Sequence, residues 1–309
     1  MNIFISGSLA YDRIMDFPGR FADHILPDKI HMLNVCFNIN GLVEKFGGTA
    51  GNIAYSLAVL GESPVIVATC GEDFPRYEKW LAKNRLPLSH IKLVSGVLTA
   101  GAYITTDHDD NQITAFNPGA MAFEADLPVL DAFSMVFIGP GNKTDMKNLA
   151  NKARLAGAPF FFDPGQSLNI WNGEELRQAV SGALCFISND YELSLFLRMT
   201  GWEMRDLYKA AKMIITTKGP EGAVLDHGGE KLSIPAVAAG TVLDPTGAGD
   251  AFRSGVLKAA AMKLPWDVAC RMGATSASFS VEHYGTQEHR FTWDQFCQRY
   301  ESSFGPWTA

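Results

Sequence analysis

Leu243-Asp244-Pro245-Thr246-Gly247-Ala248-Gly249-Asp250-Ala251-Phe252 is the stretch from which the rest of the chain is read. Residues 236–242, just before it, make an apolar, strand-like run. Residues 251–262, just after it, are proline-free, rich in Ala, Leu, Val and Phe, and read as a helix. Pro245 and the two glycines therefore mark a tight turn that feeds a helix N-terminus. Gly247 and Gly249 carry no side chain, so an anion can approach the backbone closely. The free N–H groups of Gly247, Ala248 and Gly249, with the positive end of the helix dipole, make an anion site. Asp250 stands out, because a carboxylate beside an anion hole repels a bound phosphate. It fits a site where a hydroxyl loses its proton to Asp250 as a phosphoryl group held by the amides arrives. The plainer reading is a helix start with an acid near its dipole.

The longer string narrows the choice. Phe252 stands where a dinucleotide fingerprint needs its third glycine, and no Gly-x-x-x-x-Gly-Lys-Ser/Thr run exists, which excludes a Walker P-loop. Residues 244–252, Asp-Pro-Thr-Gly-Ala-Gly-Asp-Ala-Phe, closely resemble the signature of the ribokinase-like (PfkB) family of sugar and nucleoside kinases. The resemblance implies phosphoryl transfer from ATP to an alcohol with Asp250 as base. It also implies a single three-layer α/β/α domain over 1–309, with a mostly parallel central sheet and a small β-strand lid from about 13–46 and 97–118.

Two N-terminal features match by position. Asp12 follows a first buried strand at residues 3–5, and on its own is equally a turn or surface acid. The family places a sugar-binding Asp there, and a carboxylate can accept two vicinal hydroxyls. Residues 30–40 alternate loosely and supply one or two lid strands in this reading. Gly47-Gly48-Thr49-Ala50-Gly51-Asn52 then opens a helix. The family motif implies that a sugar rests on Gly47 and Gly48 while Asn52 reads its hydroxyls. Residues 97–105 and 112–116 read as a hairpin around the acidic turn 107–111, which lacks the spacing of a calcium loop.

From residue 132 strands and helices alternate at the spacing of βαβ units, which build a parallel sheet with ligands beyond the strands' carboxyl ends. Asn189-Asp190-Tyr191-Glu192 is an N-cap with acids in the first turn. The resemblance puts Asn189 and Glu192 near the triphosphate, with Glu192 holding Mg²⁺ through water. It puts Thr217, Lys218, Gly219 and Gly222 around the ATP site, where a simple strand-turn-strand reading also holds. Residues 270–281 form a small-residue helix, and Gly273, Ala274, Ser276 and Ala277 are explained by close approach to the nucleotide. In relatives, oxygens near Asp244, Thr246 and Gly285 hold a monovalent cation, which makes K⁺ a candidate beside Mg²⁺-ATP.

Composition bounds the alternatives. The 309 residues are 47% hydrophobic with a formal charge of −7 and no long basic run, which argues against nucleic acid and acidic membranes as partners. Five scattered cysteines without a Cys-x-x-Cys suggest reduced thiols in a cytoplasmic protein. No basic segment leads into a long apolar one, so no signal peptide is expected. Within the family, residues 110–114, 162–166, 253–255, 275–279 and 285–287 look nearest to archaeal-type nucleoside kinases. That resemblance implies transfer to the 5′-hydroxyl of adenosine, inosine, guanosine or cytidine. A kinase of ribose, fructose or a sugar phosphate shares the same catalytic end, and a non-catalytic nucleoside sensor is the reading from another class. For a nucleoside, Phe37, Tyr103 or Phe116 would stack on the base unless they form lid core. Gln112 would read a base edge or face solvent, and Arg253 would reach a phosphate or pair with an acid. The lid is either a homodimer interface or a free flap.

Overall fold

The computed structural model describes residues 1–109 and 111–306, so Asp110 of the acidic turn and residues 307–309 lie outside the described residues. Strands β1 (Asn2–Ser6), β2 (Ala10–Asp16), β3 (Leu42–Gly47), β4 (Val65–Cys70), β5 (Ile91–Leu93), β6 (Ala100–Thr106) and β7 (Gln112–Asn117) occupy the first third. Strands β8 (Ser134–Ile138), β9 (Phe160–Phe162), β10 (Ala183–Asn189), β11 (Ala211–Thr217), β12 (Ala223–His227) and β13 (Glu230–Ile234) follow. The helices are α1 (Phe21–His24), α2 (Thr49–Val59), α3 (Pro75–Lys83), α4 (Lys143–Ala156) and α5 (Gly173–Val180). They continue with α6 (Asp190–Thr200), α7 (Met204–Ala210), α8 (Ala248–Ala261), α9 (Trp266–Ser280) and α10 (Trp293–Phe304).

Among the described residues, nine strands form one sheet in the order β13-β12-β11-β10-β9-β8-β1-β4-β5. Every pair from β11 to β5 is parallel, and β12 and β13 add an antiparallel edge. Period-two alternation sorts each buried strand between two layers. On β8, Met135 and Phe137 join the core under α2, α8 and α9, while Val136 and Ile138 join the core under α4 and α5. Phe161 of β9 faces the first layer, and Phe160 and Phe162 face the second. Both faces are covered, which is why these strands read as unbroken apolar runs.

The remaining strands form a second sheet, β3-β2-β6-β7. It begins at Ala10, so Asp12 sits inside a strand rather than in a turn after one. Residues 30–40 supply no strand: Pro27–Met32 is a 3₁₀ helix, and the next paired segment starts at Leu42. Residues 236–242 are likewise not a strand. Their apolarity is real, but the antiparallel edge ends at Ile234 and no neighbouring strand pairs with them. Cys70, Cys185 and Cys270 are buried free thiols, and Cys36 is exposed. Among the described residues no helix is long and apolar enough to cross a membrane.

Candidate functional site

The turn ahead of α8 is shaped by contacts that only glycine allows. Gly247 has φ +81°, and a Cβ there would lie 2.8 Å from Thr286 Cγ2. The N–H of Ala248 turns back to the carbonyl of Pro245 at 3.2 Å, and that of Ala251 bonds Gly247 O at 2.9 Å. Among the described residues the amides of Gly249 and Asp250 have no backbone acceptor. The Gly247 amide likewise has none, and these three are left to meet an anion at this helix end. The expectation named Ala248 in that role, and the structure spends its N–H on the turn.

Asp250 is half-buried at the head of α8. Its Oδ2 accepts a hydrogen bond from Asn52 Nδ2 at 2.8 Å, from the first turn of α2. Burial pushes its carboxyl up to about 6, against the pull of the Arg253 guanidinium and the Asn52 N–H, while Asp163 and Glu192 add to the rise. Such a group is ionised at neutral pH yet close enough to it to take a proton. Arg253, one turn on, pairs through Nε with Asp163 at the end of β9. Burial alone would depress Arg253, but the Asp163 carboxylate, with Asp250 and Glu192 behind it, holds the guanidinium above its ordinary value. Its Nη1 lies 2.8 Å from where a Gly249 Cβ would stand, so the missing side chain lets the cation approach the anion end of the helix.

Asp12 reaches toward this corner from the small sheet. A Cβ on Gly47 would lie 2.2 Å from Asp12 Oδ2, so the carboxylate rests directly on the glycine. Gly48 (φ +87°) is pressed against Ser8 O and Ala10 N, where any side chain would collide. Burial, followed by the charges of Asp250 and Asp244, pushes the Asp12 carboxyl up to about 6. Among the described residues it has no hydrogen-bond or ion-pair partner.

Strand register fixes which side chains share its face. Asp12 stands opposite Lys45 on β3 and Ala102 on β6, and Ala102 stands opposite Phe116 on β7. Opposed residues point to the same side, so Lys45, Asp12, Ala102 and Phe116 make one row. Gln112 lies further along the same face, opposite Thr106, which opposes Asp16. Tyr103 opposes Arg13 on the other face, where Arg13 Nη1 donates to its hydroxyl at 3.3 Å and the guanidinium sits 5.1 Å from the ring. Phe37 packs with Phe17 at 4.8 Å and Phe21 at 5.1 Å, which makes it core of the small sheet's flank. Of the two strand aromatics expected to stack, Phe116 shares Asp12's face and Tyr103 does not.

The profile of the pfkB family carbohydrate kinases matches residues 21–292. The chain belongs to the PfkB family. It is 32% identical over 271 residues to a nucleoside kinase of Methanocaldococcus jannaschii, covering 87% of this chain and 89% of that one. It is similar in structure to a Burkholderia thailandensis nucleoside kinase in complex with inosine, with a TM-score of 0.86, 36% identity and 98% of each chain covered. The same Burkholderia kinase in complex with ADP-inosine gives a TM-score of 0.83 at 37% identity, covering 98% of this chain and 96% of that one. This chain therefore has the ribokinase-like fold and is an ATP-dependent phosphotransferase with an alcohol acceptor.

On the other flank of the PfkB site, Asn189 and Glu192 form a reciprocal cap at the start of α6. Glu192 N donates to Asn189 Oδ1 at 2.7 Å, and Asn189 N donates to Glu192 Oε2 at 2.9 Å. Burial and the Asp163 charge raise the Glu192 carboxyl, against the Asn189 N–H and Arg253. Asn189 also stands beside Thr217 in the β10–β11 register, at the carboxyl ends of both strands. Beyond Thr217, Lys218 N bonds Gly222 O at 2.8 Å, and Gly222 (φ +92°) passes 2.1 Å from Ile234 O as measured from an added Cβ. Asp244 accepts Thr246 N–H at 2.9 Å and Gly285 N–H at 3.0 Å, a staple between the α8 turn and the segment after α9.

The small residues of α9 also meet α8. A Cβ on Gly273 would lie 2.8 Å from Phe252 O, one on Gly255 2.4 Å from Met272 O, and Ser276 Oγ meets Ser254 Oγ at 3.2 Å. They let α8 and α9 pack closely; Ala274 is buried among them. Asp163, Thr286, Gln287, Tyr77 and Trp80 were not expected as site residues. Only Asp163 had a usable signal, the Asp-Pro-Gly turn at a strand's carboxyl end.

Proposed function

We propose that this kinase transfers the terminal phosphoryl group of ATP to the 5′-hydroxyl of a nucleoside, with Asp250 as general base. The observation that carries the acceptor is the row across the small sheet. Asp12, without a protein partner, is suited to accept ribose hydroxyls above Gly47 and Gly48. Ala102, directly beside it, leaves space, and Phe116 follows at stacking reach for a flat base. Gln112 on the same face is placed to meet a base edge. The inosine bound by the Burkholderia kinase supports this acceptor class.

In the transfer, the O5′–P bond forms as the bond from the terminal phosphorus to the bridging oxygen breaks, and the hydroxyl proton passes to Asp250. The amides of Gly247, Gly249 and Asp250 and the Arg253 cation stabilise the transferring group as charge shifts over its oxygens. Asn189, Glu192, Thr217, Lys218, Gly219 and Gly222 line the nucleotide side. Glu192 keeps one carboxylate oxygen outside its cap, which fits a water-mediated hold on Mg²⁺. Mg²⁺ bound with ATP would neutralise charge on the phosphates. Asp244 already accepts two backbone N–H groups, a staple that orders the turn with or without K⁺. The small sheet acts as the lid, and its closure over the acceptor excludes water and limits ATP hydrolysis.

The test is ADP release with Mg-ATP across adenosine, inosine, guanosine, cytidine, ribose, fructose and fructose 6-phosphate. Turnover with nucleosides and little with free sugars is expected. Strong turnover with a sugar alone would overturn the acceptor and leave the phosphoryl-transfer scheme in place.

A further inference from the structure

Asn52 lies in a buried hydrogen-bond chain whose direction is set far from the reacting atoms. The indole N–H of Trp80 can only donate, and it donates to Gln287 Oε1 at 2.9 Å. That fixes the Gln287 amide, whose Nε2 must then face Asn52 Oδ1 at 3.0 Å and the Tyr77 hydroxyl at 2.6 Å. Thr286 Oγ1 adds a second donor within 2.7 Å of Asn52 Oδ1. With its oxygen facing two donors, Asn52 has only its N–H₂ left to offer Asp250, at 2.8 Å. Asn52, Thr286, Gln287 and Tyr77 are each at most 5% exposed, so water cannot take over these roles. Gly51 makes the crossing feasible, since a Cβ there would lie 2.1 Å from the Tyr77 hydroxyl.

The chain also grips the end of strand β3. Tyr77 donates to Gly47 O at 2.8 Å; Thr286 Oγ1 lies 3.0 Å from Phe46 O, but its single proton is given to Asn52. These carbonyls border the glycine on which Asp12 rests.

We propose that Gln287 and Thr286, with Trp80 setting the direction, are positioning residues that hold the Asn52 amide so that its N–H orients the Asp250 carboxylate, and that Gln287, through Tyr77, ties this base to the β3 end of the lid. The proposal rests on Asp250 being the base. Asn52 thereby acts on Asp250 rather than on the acceptor hydroxyls. Its N–H favours the ionised base and leaves the second carboxylate oxygen for the incoming proton. The charged groups facing Asp250 are Arg253 on its own helix, Asp163 after β9, Glu192 on α6 and Asp12 on β2. The test leaves all four in place.

The experiment compares kcat and KM between pH 5 and 9 for the wild type, Gln287→Glu, Gln287→Met and Thr286→Val, using whichever alcohol acceptor the wild type turns over. Gln287→Glu removes the donor that faces Asn52 Oδ1, so the Asn52 amide turns over and presents oxygen to Asp250. The acid limb of kcat should then move up by about one pH unit, with kcat at pH 7 down roughly twofold, kcat near pH 5 down nearly tenfold, and acceptor KM within about threefold. Gln287→Met and Thr286→Val introduce no charge and should move the limb the same way by a smaller step; they carry the test if Gln287→Glu does not fold. A limb that stays in place in the folded variants, whatever happens to KM, overturns the proposal. A wild type that accepts sugars but no nucleoside overturns only the acceptor proposed above, because the pH comparison runs with any acceptor.

Discussion

Arg253 holds the carboxylate of Asp163 through its Nε, and Asp163 is 1% exposed. The same guanidinium reaches over Gly249 with Nη1, so one side chain neutralises a buried acid and lends positive charge to the helix end. Removing one partner of such a pair leaves the other charged and unsolvated, which costs about 3–5 kcal/mol. Arg253→Met should therefore lose about that much in urea unfolding, and its surviving activity should show an acid limb above the wild type's, because Arg253 lowers the Asp250 pKa. An unfolding free energy within about 1 kcal/mol of wild type would mean that the pair is not the internal support described.

Asp250→Asn removes the proton acceptor and keeps the oxygen that Asn52 bonds. Turnover should fall by about 10²–10⁴-fold, with ATP binding by calorimetry nearly unchanged. In the wild type, kcat/KM should decline as pH falls through about 6, where Asp250 and Asp12 protonate. A variant with near-normal kcat would remove Asp250 from the role of base.

The same carboxyl sets a stability prediction. Burial pushes it up to about 6, above the ordinary carboxylate range of the unfolded chain, so the folded form binds the proton more tightly. The stability linked to that proton is fully present below about pH 4 and is lost as pH rises through about 6. Asp250→Asn should accordingly raise the melting temperature at pH 8, by roughly 1–3 °C, and the gain should shrink at pH 5. Equal melting temperatures for the two proteins at pH 8 would show that ionised Asp250 is not strained in the fold.

How much of this was legible in the chain follows from the range of each interaction. The Asn189–Glu192 cap closes over three residues, and the glycine turn before α8 is written in consecutive positions. Both were readable because the physics is local. Asn52 and Asp250 are 198 residues apart, and Arg253 and Asp163 are 90 apart. Nothing in the local pattern of a lone Asn says whether it meets a ligand or another side chain. The run 236–242 misled for another reason: of these residues only Val237 is buried, Val242 is exposed, and apolarity says nothing of a pairing neighbour. Tyr103 and Phe116 looked equivalent until strand register put them on opposite faces.

Asp12→Asn tests the unpartnered acid directly. An amide keeps the shape above Gly47 but offers one acceptor oxygen where the carboxylate offers two. Losing a charged hydrogen bond to substrate should raise acceptor KM by about 10–100-fold, with a smaller change in kcat and none in the KM for ATP. A change in ATP KM alone would place Asp12 on the wrong side of the site.

Phe116→Ala and Tyr103→Ala separate the two faces of the lid. Phe116 is 49% exposed on the face that carries Asp12, so its ring is open to a ligand there. A base lying on it recovers that surface and a stacking contact, together worth about 1–2 kcal/mol. Phe116→Ala should raise the KM for inosine by roughly 5–30-fold and leave any residual turnover of free ribose unchanged, because ribose alone does not extend along the row. Tyr103→Ala removes one of the partners of Arg13 on the far face and should lower thermal stability with little effect on inosine KM. If instead Tyr103→Ala weakens inosine and Phe116→Ala does not, the base lies on the opposite side of the small sheet from Asp12, and the acceptor geometry proposed above is wrong.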